Sequence, residues 1–443
     1  MNPVLYFYDT ATFSEADYDE EKVREYYPLM ADWLGVDEPD IESLNFTRHI
    51  KPNITSDTPP NVVIIFMESV GLNRMGLMGN PFDPTPTLDR LAGNGLFFTK
   101  FYVPWVSTSR SVFTMVTGIP DVARTKTSSR NPLIRDQYSI ISQFKNYDKY
   151  YIMGSSASWA NIRSLITYNL KDMDIIELGD FNRPRVDVWG ISDLDLFREA
   201  HDLFSNRDTE KPFFAIVQTA GNHKPYSIPD DNAGFGIKYE DENELKKAGF
   251  SSVKQYNAMR FFDHSIRQFF NMMEKSGYYK NTIFVLFGDH GNADPRAEHM
   301  PADDYALRLR SYNVPLIIYA PGLELQLRQI ETVSGLADLM PTIAGLSGIE
   351  YMNRTLGRDI LNVEDDYAFI VNKKISPSSY GVLNKEYYLR IFRNGSGMEF
   401  HELKSDNPAK DVKNNYPDEV EIFRRMTEGV YETAKYMLYH NKK

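Results

Sequence analysis

Continuous runs of apolar, mostly β-branched or aromatic residues recur along the chain from residue 61 onward. Four of them occupy residues 62–67, 213–217, 282–287 and 314–319. Each run has the length and composition of a strand that is buried on both faces of a sheet. Amphipathic helical patterns lie between the runs, at residues 87–95, 193–204 and 256–276. This alternation predicts an α/β fold with a central, largely parallel mixed sheet and helices on both faces.

The two ends of the chain differ from the central region in composition and in hydrophobic pattern. Residues 1–60 hold thirteen acidic and four basic residues, with a helix-like stretch around 20–33 and a polar, Pro-rich end. We expect an acidic arm or linker there, followed by a main domain over 61–363. The region 364–443 is predicted to be a small C-terminal α+β subdomain, an antiparallel sheet with a closing helix at about 417–439. Its short alternating strands are expected at residues 367–371, 380–383, 387–392 and 398–403.

Composition narrows the classes of function. The 443 residues are 42% hydrophobic and 25% charged, as in a folded soluble protein. A net charge of −12 argues against nucleic acid as the main partner, because phosphate backbones favour basic surfaces. The chain has no cysteine, which excludes disulfides, thiolate nucleophiles and zinc fingers. No apolar run approaches the roughly 20 residues of a membrane span, and the N-terminus lacks a signal peptide. We therefore expect the chain to be cytoplasmic or to be the soluble part of a longer protein.

Polar residues that follow the buried strands are the first candidates for chemistry, since ligands gather at the carboxyl ends of strands in α/β sheets. Glu68 follows the first run and is either a helix-start acid or a metal ligand. Asp289 and His290 follow the run 282–287 between two glycines, which allow a tight turn. Carboxylate oxygen and imidazole nitrogen suit zinc or manganese. The alternative is a capped turn with an unrelated histidine.

A hydroxyl-rich segment forms the third candidate. Residues 104–111 include Ser107-Thr108-Ser109-Arg110 and lead into an apolar helix that ends near Thr117. Such hydroxyls are common helix N-caps. The same position also places free N–H groups beside a hydroxyl, which favours an incoming phosphate or sulfate. A hydroxyl becomes a useful nucleophile when a base or metal lowers its pKa, and the acids and His290 could supply that metal.

Several segments together resemble the sulfatase and alkaline phosphatase superfamily, in consistent order from about residue 60 to 430. The resemblance implies the α/β fold of that superfamily. The segments are Pro86-Thr87-Leu88-Asp89-Arg90-Leu91-Ala92, Gly288-Asp289-His290-Gly291, Ala337-Asp338-Leu339-Met340-Pro341-Thr342, Gly357-Arg358-Asp359 and Phe400-His401-Glu402-Leu403.

Within this superfamily, sulfatases oxidise a Cys or Ser two residues before a Pro or Ala and four before an Arg. If Arg110 is that arginine, Val106 occupies the oxidised position and cannot be converted. The segment is more similar to that of the lipoteichoic acid synthase group of phosphoglycerol transferases, whose nucleophile is a threonine. The resemblance implies Thr108 as nucleophile, with Ser107 and Ser109 as alternatives.

The same resemblance implies one divalent metal, most consistent with Mn²⁺ and with Zn²⁺ or Mg²⁺ as alternatives. Its ligands would be Glu68, Thr108, Asp289 and His290.

The resemblance also implies residues that contact the substrate. His223, in Asn222-His223-Lys224-Pro225-Tyr226, matches an active-site histidine and would carry protons. Trp159 and Arg163 match a segment that holds glycerol phosphate, although the spacing differs by a residue or two. His299 is expected near the metal or the substrate. Arg110 is expected to hold an anionic oxygen or to pair with a surface acid.

The implied reaction moves a glycerol phosphate head group from a phosphatidylglycerol-like lipid to a hydroxyl of a glycan or polyol phosphate, through a phosphothreonine-type intermediate. Alternatives on the same scaffold are a phosphodiesterase, a sulfatase and a phosphoethanolamine transferase, the last disfavoured by the missing cysteines. A non-catalytic binding module would leave the four metal-set residues unexplained. The resemblance further implies a missing N-terminal membrane anchor and a domain on the periplasmic or exterior face of the cell membrane.

Overall fold

A mixed sheet runs through the centre of the computed structural model, which describes residues 17–442 except 53–57, 124–125, 132–133, 135, 293, 324, 326, 364–366 and 373–376. The strands of the described residues are β1 (Arg48–Ile50), β2 (Asn61–Met67), β3 (Leu96–Tyr102), β4 (Asp148–Met153), β5 (Met173–Ile176), β6 (Phe213–Gln218), β7 (Thr282–Gly288), β8 (Asn313–Tyr319), β9 (Arg328–Ile330), β10 (Ser334–Gly335), β11 (Tyr351–Asn353), β12 (Ala368–Asn372), β13 (Ser379–Leu383), β14 (Tyr387–Phe392) and β15 (Met398–Glu402).

The α-helices surround this sheet and the smaller one beside it. In chain order they are α1 (Glu20–Leu34), α2 (Pro86–Gly93), α3 (Thr108–Thr117), α4 (Ile162–Asn169), α5 (Asp193–Ser205), α6 (Glu242–Lys247), α7 (Val253–Met273), α8 (Ala302–Ala306), α9 (Leu339–Leu346) and α10 (Pro417–His440).

The central sheet has the order β10-β3-β8-β7-β2-β6-β4-β5, with β9 also paired to β3. Strand β8 is antiparallel to β3 and β7, and the other pairs are parallel. The four predicted buried strands are confirmed as β2, β6, β7 and β8, and all but the last residue of β8 are buried. The predicted mixed, largely parallel sheet is therefore correct.

Side chains of β2 alternate between two apolar layers, as the two-residue period of a strand requires. Val62, Ile64 and Phe66 enter one layer, which α3, α4 and α9 cover. Val63 and Ile65 enter the opposite layer, which α2, α5 and α7 cover. A strand between two helical layers has no polar face, which explains why the β2 sequence is a continuous apolar run.

The C-terminal region forms a second sheet in the order β12-β13-β14-β15, antiparallel throughout. Helix α10 packs on it, with the rings of Tyr380 and Tyr431 stacked at a centroid distance of 4.0 Å. The small antiparallel sheet with a closing helix is thus confirmed.

The described part of the expected acidic arm, residues 17–52, packs against the rest of the fold. Helix α1 lies on α10, where Gly429 leaves room for the side chain of Met30. Strand β1 pairs with β11, and the buried guanidinium of Arg48 donates to the carbonyls of Thr355 (2.8 Å) and Gly357 (2.6 Å). An apolar helix face requires a partner, and α10 supplies it. The domain boundaries at 60 and 363 stay predictions.

Among the described residues, none of the helices combines the length and the apolar character needed to cross a bilayer.

Candidate active site

The candidate site lies at the carboxyl ends of β2 and β7, where the sequence places its acidic residues. These strands are parallel neighbours with Met67 opposite Gly288, so the residues that follow them emerge side by side. Potential ligand atoms of Glu68, Asp289 and His290 lie within 4.8 Å of one another. The structure therefore brings together the residues that follow the two strands.

Backbone N–H groups and hydroxyls hold the first of these loops. Ser69 has a φ of +57°, and its N–H donates to Asp289 Oδ1 at 2.7 Å. Its hydroxyl donates to Glu68 Oε1 at 2.7 Å. The N–H of Glu68 donates to Thr219 Oγ1 at 3.0 Å, which ties the turn to the end of β6. Glu68 is thereby oriented before any ligand arrives.

Two glycines let the second loop pack closely. A Cβ atom at Gly288 would lie 2.0 Å from the carbonyl oxygen of Val70, and one at Gly291 would lie 2.3 Å from that of Arg310. Both contacts are far inside van der Waals distance, so no other residue fits without movement of the backbone. The glycines thus fix the position of Asp289 and His290.

Thr108 is the first residue of α3 and points its hydroxyl at this cluster. Its Oγ1 lies 3.3 Å from Glu68 Oε2 and 3.4 Å from His290 Nε2. Ser107 occupies the N-cap position, but its side chain caps no N–H group. The hydroxyls of Ser107 and Ser109 lie 3.2 Å from each other. Of the three candidate nucleophiles, Thr108 is the one that faces the acids.

The electrostatics of the cluster favour a cation. Burial, together with the charge of the neighbouring Asp289, raises the pKa of Glu68 to about 7. Burial also raises the pKa of Asp289 to about 7. Asp289 Oδ2 is buried, and the nearest polar atom described for it is His290 Nε2 at 3.5 Å. Two adjacent carboxylates stay ionised in such a site when a positive charge lies between them.

His290 completes a donor set that suits a divalent metal. Its Nδ1 lies 3.0 Å from the carbonyl oxygen of Gly291 and donates to it, which leaves Nε2 as the acceptor nitrogen facing Thr108. Metal-bound histidines are usually oriented by such a second hydrogen bond. Carboxylate oxygens, a hydroxyl and one imidazole nitrogen fit Mn²⁺, Zn²⁺ or Mg²⁺. The residues present therefore fit the expected metal.

A cavity of about 390 Å³ opens above the cluster. Its polar lining joins the metal cluster to the loop after β6. The lining residues are Glu68, Ser69, Thr108, Asn222, His223, Lys224, Tyr226, Ser251, Gln255, His290, Asn292 and Asp294.

His223 lines this cavity, and two tryptophans that lie outside the lining pack beside it. The His223 ring packs on Trp189 at a centroid distance of 4.0 Å, and the Trp189 indole N–H donates to the carbonyl of Lys224 at 2.7 Å. Trp159 is 42% exposed and contacts Trp189 edge-to-face at 6.3 Å. Trp159 therefore lies outside the cavity lining, and its predicted contact with substrate remains a prediction.

Two other predicted substrate residues lie outside the cavity lining. Arg163 forms an ion pair with Glu177, and its side chain is 44% exposed. His299 lies with Nε2 2.9 Å from the carbonyl oxygen of Asn73. Their predicted contacts with substrate remain predictions.

Arg110 requires a correction, because its guanidinium points into the protein. It pairs with the buried carboxylate of Asp121 at 3.2 Å, donates to the carbonyl of Ala123 at 2.8 Å and lies 3.9 Å over the Trp105 ring. The acid it pairs with is fully buried and is not on the surface. Arg110 is therefore part of the packing beneath α3 and does not line the cavity.

We expect the Arg110→Ala variant to lose about 3–5 kcal/mol of unfolding free energy, because Asp121 would remain buried without its cation. Arg163→Ala is the matched control, since an exposed ion pair contributes about 0–1 kcal/mol. Urea denaturation followed by circular dichroism measures both. Equal losses of unfolding free energy in the two variants would contradict this structural role. An Arg110 variant of wild-type stability with a raised KM would indicate that Arg110 contacts substrate.

Several supporting residues were given no role in the sequence analysis. Thr219 holds Glu68, and Ser111 donates from its hydroxyl to the carbonyl of Asp289 at 2.7 Å, which ties α3 to the metal loop. The carboxylate of Asp193 accepts the N–H groups of Ala220 (2.9 Å) and Gly221 (3.0 Å) and so holds the loop that carries His223. Thr219 directly follows a buried strand, so the rule that located Glu68 could have found it.

Comparison with known proteins agrees with this geometry. The sulfatase family model matches residues 60–349. Lipoteichoic acid synthase 1 of Bacillus subtilis is 24% identical over 410 residues, which cover 84% of this chain and 58% of the relative. The chain thus spans little more than half the length of that relative. Curated sulfatases match the chain as well.

Solved structures share the fold. A protein of the alkaline phosphatase superfamily from Vibrio parahaemolyticus has a TM-score of 0.78 at 23% identity, over 96% of this chain and 97% of that one. The lipoteichoic acid synthase LtaP of Listeria monocytogenes has a TM-score of 0.72 at 18% identity, over 93% and 98%. The chain therefore belongs to the sulfatase family, as a lipoteichoic acid synthase-like domain of the sulfatase and alkaline phosphatase superfamily.

Proposed function

We propose that this chain is the catalytic domain of a metal-dependent phosphoglycerol transferase, which moves a glycerol phosphate head group from a phospholipid to an acceptor hydroxyl. The observation that carries the proposal is the contact of the Thr108 hydroxyl with Glu68 and His290. A sulfatase would need an oxidised residue there. Val106, at the position that the sulfatase pattern oxidises, packs against a separate apolar cluster. The nucleophile is therefore a hydroxyl.

The residues that would hold the metal are Glu68, Thr108, Asp289 and His290. A divalent cation held by them would lower the pKa of a hydroxyl and neutralise charge on the phosphoryl group. The protein's own contribution is to hold Thr108 rigidly at the start of α3, with its Oγ1 hydrogen-bonded to Glu68 Oε2 at 3.3 Å. Free N–H groups at this helix end add positive potential where the phosphoryl oxygens would lie.

The reaction proceeds in two balanced halves. Thr108 Oγ1 forms a bond to phosphorus while the bond from phosphorus to the diacylglycerol oxygen breaks. The Thr108 proton passes to Glu68, and His223 gives a proton to the leaving oxygen. In the second half, the acceptor hydroxyl gives its proton to His223 and its oxygen replaces Thr108 Oγ1 on phosphorus. Thr108 then recovers its proton, which restores the starting state.

We also propose the partners of the domain and its location. The donor is a phosphatidylglycerol-like lipid and the acceptor a glycan or a polyol phosphate. The domain works at the outer face of the cell membrane, held there by an anchor outside this chain. The polar cavity of about 390 Å³, whose lining residue His223 packs on Trp189, supports a head group with both phosphate and hydroxyl functions.

Phosphatidylglycerol with a labelled head group tests the proposal. We expect Mn²⁺-dependent release of diacylglycerol, with the label transferred to an added polyol phosphate acceptor, and no release of sulfate from an aryl sulfate ester. Label appearing only as free glycerol phosphate would indicate a phosphodiesterase. Sulfate release without diacylglycerol formation would overturn the proposal in favour of a sulfatase.

A further inference from the structure

Asn222 is a polar side chain at the cavity wall that the chemistry above does not use. Its side chain is 2% exposed, and neither Oδ1 nor Nδ2 has a hydrogen-bond partner among the described residues. It lines the same cavity as Thr108 and directly precedes His223. Buried amides are normally paired, so an amide left unpaired at a cavity wall indicates a group that a ligand pairs.

Hydrogen bonds to Asp193 hold the loop that carries Asn222. Asp193, at the start of α5, accepts the N–H groups of both preceding residues, and a Cβ atom at Gly221 would lie 2.5 Å from Asp193 Oδ2. The N–H of His223 donates to the carbonyl of Ala220 at 3.0 Å. The backbone on both sides of Asn222 is thus fixed, and its amide is presented in one place.

The donors and the acceptor of the amide limit which ligand groups can pair with it. An amide offers donors at Nδ2 and an acceptor at Oδ1, and both must be paired. Phosphoryl and sulfuryl oxygens accept only, and an ammonium group donates only, so each leaves one end of Asn222 unpaired. A hydroxyl both donates and accepts. Neighbouring hydroxyls of a polyol can pair both ends, whichever way the amide is turned.

We propose that Asn222 recognises the free hydroxyl groups of a polyol head group bound beside Thr108, and so determines the choice of glycerol phosphate over head groups without hydroxyls. The inference rests on the proposed transferase function and extends it to substrate selection. Asn222 binds the hydroxyls of the head group, while the cluster around Glu68 and His290 acts on the phosphate.

Two lipids with the same acyl chains test this assignment: phosphatidylglycerol, and phosphatidylpropanol, whose three-carbon head group has no free hydroxyl. We expect Asn222→Ala to lower kcat/KM for phosphatidylglycerol by about 10- to 100-fold and to leave phosphatidylpropanol within about 2-fold. Asn222→Asp keeps an acceptor and loses the donors, so we expect its preference to move toward phosphatidylethanolamine.

Asn73→Ala is the matched control, because Asn73 Nδ2 is also buried without a described partner but lies outside the cavity lining. It should keep the wild-type preference. Equal losses on both lipids in Asn222→Ala, or an unchanged preference, would overturn the assignment. Calorimetric binding of glycerol phosphate and propyl phosphate repeats the comparison without turnover. A wild-type protein that turns over neither lipid but still prefers glycerol phosphate would contradict the transferase function and leave the role of Asn222 intact.

Discussion

Replacing Thr108 with alanine is expected to abolish head group transfer, with a loss on the order of 10⁴-fold or more. The variant keeps the metal cluster and the cavity but has no oxygen to attack phosphorus. Diacylglycerol release from phosphatidylglycerol measures the rate. Mass spectrometry of the intact protein, quenched during turnover, should show a phosphoglycerol adduct in the wild type and none in the variant.

Ser107→Ala and Ser109→Ala are the controls for this experiment. Their hydroxyls lie one residue either side of Thr108, bond weakly to each other at 3.2 Å and do not line the cavity. Both variants should keep turnover within a few-fold of the wild type. Full activity in Thr108→Ala, or an adduct that maps to Ser107 or Ser109, would show that the nucleophile has been assigned to the wrong residue.

Binding of Mn²⁺ is expected to stabilise the folded protein. We expect Mn²⁺ to raise the Tm of the wild-type protein by several degrees, and Glu68→Gln or Asp289→Asn to remove that increase together with transfer activity. A ligand that binds only the folded state at 100 times its Kd stabilises it by about 2.7 kcal/mol. Differential scanning fluorimetry with and without Mn²⁺ measures the shift, and calorimetry measures the affinity.

This Mn²⁺ effect should depend on pH in a defined direction. Without metal, burial raises the pKa values of Glu68 and Asp289 to about 7, from ordinary values of 4.5 and 3.8. The folded state therefore holds protons that the unfolded state releases between about pH 4 and 7, and stability falls as the pH rises through that window. Mn²⁺ binds the ionised carboxylates, so the Tm increase should be small at pH 5 and large at pH 8.

Asp304→Asn is the matched control for the carboxylate variants. Asp304 is also buried, which raises its pKa to about 7, but it lies outside the cluster of Glu68, Asp289 and His290. Its variant should keep the whole Mn²⁺ effect. A Tm increase that survives in both Glu68→Gln and Asp289→Asn would mean that the ion binds elsewhere.

The central fold was predictable because its signals are local. The run at 62–67 reads as a strand that is buried on both faces, and β2 is such a strand. The helix ends were predicted less accurately. Helix α7 begins at Val253, three residues before the predicted start, because Ser252 caps it by accepting the N–H of Gln255. Short strands such as β9 and β10 have no periodicity to detect, and they form because β3 offers an edge.

The residues of the candidate site also fall into two groups: those that the sequence could place and those that it could not. Residues that directly follow buried strands, such as Glu68 and Asp289, could be placed because parallel neighbouring strands end at the same edge. Arg110 could not be placed, since the side to which a helix residue points depends on the tertiary packing of α3 over Asp121 and Trp105. Asn222 adjoins a recognised histidine, yet its unpaired amide becomes visible only when the surrounding atoms are known.

The glycines of the second metal loop have a consequence for how this scaffold diversifies. No side chain fits at Gly288 or Gly291 without movement of the backbone, so the loop that presents Asp289 and His290 is constrained at both ends. In the outer half of the site, the side chains of His223, Trp189 and Trp159 are half-buried or exposed. Selection can therefore exchange these outer side chains, and with them the substrate preference, at small cost in stability, while the inherited reaction chemistry stays the same.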